Sequence, residues 1–335
     1  MRGRGRVRSA VLAVMLAWVA PVAMPLAAQE IPASPEAAGF RMGIQPWLGY
    51  GLWHVAVAKG LFQAEGLPDV EITTFTEDRE IKAALAGGRL DGASVSAHTA
   101  LVLAAAGVPI RIVALLDVSM TADAIIAGPG IGTIADLRGK AVAYEEGSTS
   151  HMLLSYALAR NGMSLADIVS VPMPALDAAT AVTVDRTPAA VTYEPYLSLA
   201  QLVDPRVKVL YTAAADPGLI SDVFVVREEV LKQRPGQIAA LLRAWQAAYD
   251  DYRTDVAGGR AIIARAVRAT PEGLATAFDG ITFYSLADSK AQLAGAFARH
   301  VIGDVEKAAR AAGLLRGDVD AAGLIDPRFV AAVAP

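Results

Sequence analysis

Gly139-Lys-Ala-Val-Ala-Tyr-Glu-Glu-Gly-Ser-Thr-Ser-His-Met-Leu-Leu-Ser-Tyr-Ala-Leu158 is the stretch that decides the fold. Residues 141–144 are a short apolar run suited to a buried strand. Residues 147–150 supply a turn and several N-caps. Met152, Leu153, Tyr156 and Ala157 then begin an amphipathic helix that Asn161-Gly162 can close. A strand entering a helix through a Gly/Ser/Thr turn aims free backbone N–H groups and hydroxyls at one spot. The helix dipole makes that spot attractive to an oxyanion. A small anionic or zwitterionic ligand is therefore expected there.

The same alternation extends in both directions. Strands are predicted at 40–45, 70–75, 91–95 and 111–116, separated by helices over 52–59, 77–86 and 99–106. Further strands are predicted near 141–144, 168–171, 189–192 and 207–211. After Val226 the chain turns almost wholly helical, with Ile238, Leu241, Leu242, Trp245, Tyr249 and Tyr252 on one stripe behind Pro235. This is an α/β chain with largely parallel sheets. Two extended segments, 122–127 and 221–226, bracket a stretch the size of a small lobe. They divide the chain into a discontinuous large lobe, 38–123 with 226–335, and a small lobe, 124–225. The two segments are expected to cross between the lobes as a hinge, with the ligand in the cleft. No repeat or low-complexity tract is present.

The chain contains no cysteine, which excludes a disulfide framework, a thiolate metal site and a Cys nucleophile. With 54% hydrophobic residues it can build an ordinary core. Arg2, Arg4, Arg6 and Arg8, an apolar run from Ala10 and small residues at Ala27-Ala28 make residues 1–28 a signal peptide. An uncleaved anchor is the alternative, disfavoured by Pro21 and Pro25. Cleavage removes four Arg and no acid, leaving 26 basic and 34 acidic residues, net −8 against −4 for the precursor. That acidity suits a soluble periplasmic protein and argues against nucleic acid as partner. His54, His98, His151 and His300 are the only histidines, and none stands three or four residues from another, so no metal site is expected. Serine-hydrolase elbow, P-loop and dinucleotide fingerprints are absent, and no cofactor is expected.

Beyond these patterns, the chain resembles the periplasmic substrate-binding proteins of ABC importers, in the sulfonate/taurine/nitrate (NMT1/THI5-like) group. The resemblance is carried in order by Pro46-Trp47-Leu48-Gly49-Tyr50, Ala58-Lys59-Gly60-Leu61-Phe62, Ala84-Leu85-Ala86-Gly87-Gly88, Asp117-Val118-Ser119, the Glu145–His151 turn and Tyr193-Glu194-Pro195-Tyr196. It implies a type II binding-protein fold, two α/β lobes joined by two crossover strands. It also implies no chemistry on the ligand, an ABC permease as partner and a monomer. One departure stands out. Asp185-Arg186-Thr187-Pro188 replaces the Gly-containing turn that many relatives carry before Tyr-Glu-Pro.

Trp47 follows the first strand, where a cleft would open, and is read as an aromatic wall rather than a core residue. Tyr50 fits either role equally. Ser148, Thr149 and Ser150 both cap and bind. Ser96 and His98, at another strand-to-helix turn, either donate to the ligand or simply cap. Asp117 and Ser119 are lining candidates, whereas Asp123 is given to a local turn or hinge contact. The resemblance puts Tyr193 and Glu194 on the cleft, with Glu194 inclined to a hinge role. If Glu145 or Glu146 faced the cleft, it would complement an amine, as in taurine. The expected function is a receptor for a small aliphatic sulfonate or taurine-like solute. Nitrate, bicarbonate, an amine or a pyrimidine precursor are alternatives, as is a ligand-sensing module. An enzyme of the same fold is disfavoured by the absence of cysteine. Cell fractionation should recover a soluble periplasmic chain beginning near Gln29. Recovery in the inner membrane with residues 1–28 intact would refute the leader.

Overall fold

Residues 31–334 are described by the computed structural model, and the leader read at 1–28 lies outside them. Short runs rich in Ala, Val and Ile form eleven strands in this region: β1 Phe40–Ile44, β2 Val70–Thr74, β3 Gly92–Ser96, β4 Ile110–Ser119, β5 Asp123–Ala127, β6 Ala141–Tyr144, β7 Val169–Pro172, β8 Ala189–Tyr193, β9 Lys208–Thr212, β10 Ser221–Arg227 and β11 Ile281–Phe283. They build two sheets, one in the order β11-β4-β10-β3-β1-β2 and the other β7-β6-β8-β5-β9. This is the two-lobed α/β architecture of type II binding proteins.

Both sheets are mixed. β1 runs parallel to β2 and β3, and β6 runs parallel to β7 and β8. β10 lies antiparallel to β3 and β4, while β5 lies antiparallel to β8 and β9. The reversal occurs beside the places where the chain changes sheets, because a strand arriving from the other sheet is not held to a right-handed parallel crossover. The chain crosses at 120–122 and returns at 213–220. The first crossing is pinned on both sides: Met120 and Thr121 donate backbone N–H groups to Gly280 O, and Ala122 O accepts from Glu194 N. β11 escaped the sequence pattern because three residues carry no periodicity. It forms by pairing Ile281 with Ser119 at the end of β4.

The first lobe is held by large aromatic side chains. Trp53, on helix Gly51–Ala58, packs against Phe62, Phe224 and Trp245 with ring centroids 4.7–6.1 Å apart, and its indole donates to Ser94 Oγ at 2.9 Å. Trp245 comes from the apolar stripe of helix Pro235–Thr254, whose Ile238, Leu241 and Leu242 are fully buried. In the second lobe, the turn before β8 is made by Asp185 at φ 54, a left-handed conformation that Asp tolerates.

A partly buried ion cluster fastens β1, β3 and the long helix together. Asp91 accepts from the backbone N and Nε of Arg41 at 2.8 and 3.2 Å, and from Nη2 of Arg41 and Arg234 at 2.9 and 2.8 Å. Burial pushes the Asp91 carboxyl up, but these cations outweigh it and hold it below its ordinary range. Arg234 is itself only 16% exposed, so removing its partner strands a cation. Asp91→Ala should therefore lower unfolding stability by about 2–4 kcal/mol in urea titration, Arg41 regaining water more readily than Arg234. A loss under about 1 kcal/mol would count against this cluster as a fastener.

Candidate functional site

The carboxyl ends of the parallel strands from both sheets converge on one cleft, the place where α/β folds hold ligands. Gln45, Trp47 and Tyr50 follow β1, Ser96 ends β3, Glu145, Ser148 and Thr149 follow β6, and Tyr193 ends β8. The antiparallel strands enter from the same side, bringing Asp123 at the start of β5 and Asp222 near the start of β10. The space among them is about 30 Å³, enough for one or two waters. Trp47 and Tyr193 meet across it edge to face at 6.0 Å.

Trp47, Tyr50, Ser96, Ser148, Thr149 and Tyr193 are thus brought together on the wall. The other candidate residues lie behind it. Asp117 is fully buried and accepts the Trp47 indole N–H at 3.1 Å. Ser119 Oγ accepts from Asp123 N, and His98 Nδ1 pairs with Ser96 Oγ at 2.7 Å. Ser150 is buried, with its N–H satisfied by Ser148 Oγ. Glu194 is tied to Ser198 through its backbone N and Oγ, at 3.0 and 2.8 Å. Glu146 is exposed. The wall also contains Asp123, Glu145 and Asp222. Asp222 had gone unread, although an acid inside Ser-Asp-Val-Phe-Val-Val is a signal, because a carboxylate in a buried strand needs a reason.

Local structure explains how the aromatic wall is fixed. Asp117 on β4 and Asp222 on β10 stand opposite each other in register. Tyr50 donates to Asp222 Oδ1 at 2.8 Å while Trp47 donates to Asp117, so one loop is moored at both ends. Gly49 makes this possible, since a Cβ there would collide with both the Trp47 indole and the Asp117 carboxylate. Gly147, at φ +83, likewise allows the tight turn before helix Thr149–Arg160.

The electrostatics are acidic. Burial pushes Asp123 up to about 8, Glu145 up to about 7 and Asp222 up to about 6. Burial, then the neighbouring Asp222, holds Asp117 well above its ordinary range. Among the described residues, no Lys, Arg or His lines the cleft. Lys82, nearby, is committed to Asp78 Oδ2 at 2.8 Å and Gly147 O at 3.0 Å. Burial lowers His98 to about 4 and also lowers His151, keeping both neutral. The turn's own donors are partly spent: Ser148 Oγ donates to Glu145 O, and Gly147 N donates to His151 Nδ1. The described residues hold no cluster suited to a metal.

The fold is a two-lobed α/β architecture with the cleft at the strand ends of its two sheets. The chain belongs to the NMT1/THI5-like family, whose model matches residues 51–255. A protein of Brucella abortus (strain 2308), provisionally named a binding protein, is 29% identical over 216 residues, covering 63% of this chain. The match spans 65% of that relative's length. The periplasmic aliphatic sulphonate binding protein of Escherichia coli superposes with a TM-score of 0.72 at 21% identity, over 87% of this chain and 98% of that one. The periplasmic nitrate-binding protein of Synechocystis PCC 6803 gives 0.71 at 17% identity, over 87% and 86%. Both likenesses establish the fold.

The raised carboxyls make a pH dependence. Asp123, Glu145, Glu194 (about 7) and Asp222 bind protons more tightly folded than unfolded, so their stabilising contribution is full at low pH and is lost as pH rises through 6–8. His98, depressed to about 4, works in the opposite direction, but only between about 4 and 6.5. The melting temperature should therefore fall from pH 6.5 to 8.5, and Asp123→Asn should flatten the fall. A melting temperature that rises over that interval would contradict these assignments.

Proposed function

We propose that this chain is the extracytoplasmic solute receptor of an ABC importer. It binds one small solute between its lobes and hands it to a membrane permease, as a periplasmic monomer without enzymatic chemistry. The lobe boundaries belong to the same reading and follow the changes of sheet, at 120–122 and at 213–220, so the boundary expected at 225/226 moves to a point before β10. Similarity to the sulphonate- and nitrate-binding proteins supports the receptor role through the shared fold.

The solute itself presents N–H donors: an amine or an amino-heterocycle, held between Trp47 and Tyr193. One observation carries this choice, the three carboxyl groups of Asp123, Glu145 and Asp222 on the cleft wall with no basic side chain among its lining residues. A bare nitrate or alkyl sulfonate would find no cation among these lining residues to neutralise it. A zwitterion such as taurine remains within the class. Its amine meets the carboxylates while its oxyanion meets Thr149, at the first position of a helix.

A thermal-shift panel on the mature chain tests the choice: methylamine, 4-aminopyrimidine and taurine against ethanesulfonate, nitrate and bicarbonate. Donor-bearing compounds should raise the melting temperature, a hundredfold excess over Kd being worth about 2.7 kcal/mol. Stabilisation by nitrate or ethanesulfonate, with none from the donors, would overturn it.

A further inference from the structure

Glu145 is only 4% exposed, lines the cleft and belongs to the second lobe, one residue beyond β6. Its two oxygens have different fates. Oε1 accepts from the backbone N of Asp78 at 2.7 Å, and Asp78 is the first residue of helix Asp78–Ala86 in the first lobe. Oε2 is buried without a hydrogen-bond partner. A carboxylate oxygen left unmatched in a buried site is costly unless something else supplies the donor.

The Asp78 end is braced independently. Thr99 Oγ1 donates to Asp78 Oδ1 at 3.0 Å, and Lys82 pairs with Asp78 Oδ2 while donating to Gly147 O of the opposite lobe. Ser96, itself on the cleft wall, donates to Thr99 at 3.2 Å. The helix start is thus a rigid receiving surface for the 145–147 turn.

We infer that Glu145 is the specificity-determining residue that couples the solute to lobe closure, with Oε1 latching the second lobe onto the 78–86 helix and Oε2 receiving the solute's donor. A donor on Oε2 holds the side chain in the one orientation in which Oε1 reaches Asp78. A solute without a donor leaves that oxygen unmatched and gains nothing from closure. This inference rests on the donor-bearing solute proposed above. The latch, however, can be measured without any solute.

Two substitutions separate the two oxygens. Glu145→Gln keeps a carbonyl oxygen for Asp78 N but turns a donor toward the cleft. Glu145→Ala removes both contacts. On the other side, Asp78→Pro removes the N–H alone when compared with Asp78→Ala. Proline is tolerated at a first helical position, and Glu77 already has the extended φ −131 and ψ 142 that a following proline requires. Small-angle scattering on solute-free protein should give equal radii of gyration for wild type and Glu145→Gln. Glu145→Ala should give a larger radius, as should Asp78→Pro relative to Asp78→Ala. Calorimetry with methylamine, 4-aminopyrimidine and taurine should then find Glu145→Gln weakened roughly ten- to a hundredfold despite its compact form. Unchanged radii in both Glu145→Ala and Asp78→Pro would refute the latch. Wild-type affinity in Glu145→Gln would refute the solute contact. If no probe binds wild type, the donor-bearing reading falls and takes the solute contact with it, while the solute-free radii still decide the latch.

Discussion

Two buried carboxyl groups that face each other beneath the cleft are the constraint on which the site depends. Asp117 and Asp222 face each other from neighbouring strands, and each takes a hydrogen bond from an aromatic side chain of the same loop, Trp47 and Tyr50. Two buried acids are an expensive floor for a binding site. Meeting both with indole and phenol donors offsets part of that cost. In return, a loop without regular secondary structure at Gln45–Trp47 presents its aromatic face at a fixed angle. The requirement propagates to Gly49, where any side chain would occupy the space of the Trp47–Asp117 bond.

This floor also shapes the chemistry above it. Asp123 and Glu145 sit on the wall over the pair, and the cations nearby are either already committed, like Lys82, or uncharged, like His98 and His151. The closing turn of the second lobe spends Ser148 on Glu145 O and Ser150 N. What a ligand would find is therefore a surplus of acceptors with aromatic faces around them. An oxyanion has Thr149 and the helix end to turn to, and little else.

Much of this was legible in the sequence. The run from Gly139 to Leu158 became β6, its turn and its helix, because apolar run, glycine and N-caps agree with one another. The principle that strand ends carry the ligand brought Trp47, Ser96, Ser148, Thr149 and Tyr193 to one wall. Tyr50, which suited core or cleft equally, does both, buried while lining the site. Less legible were residues whose role comes from antiparallel strands. Asp123 and Asp222 lie near strand starts, and only the reversed direction of β5 and β10 puts those starts beside the carboxyl ends of β1, β3, β6 and β8. Asp117, His98 and Ser119 were placed at the right strand ends but one layer too shallow. Local pattern gives the strand end, whereas depth depends on which neighbour takes the hydrogen bond.

The unequal lengths of the two crossings have a mechanical consequence. Between β4 and β5 only residues 120–122 are available, and both flanks are hydrogen-bonded, to Gly280 on one side and Glu194 on the other. Between β9 and β10 eight residues intervene. A three-residue tether lets one body turn on another but does not let it slide away, whereas the longer tether takes up the slack. Any motion of one sheet against the other would thereby be limited to swinging about residues 120–122. In such a swing every group on one wall would travel a set arc and return to the same opposite number, as a door finds its frame.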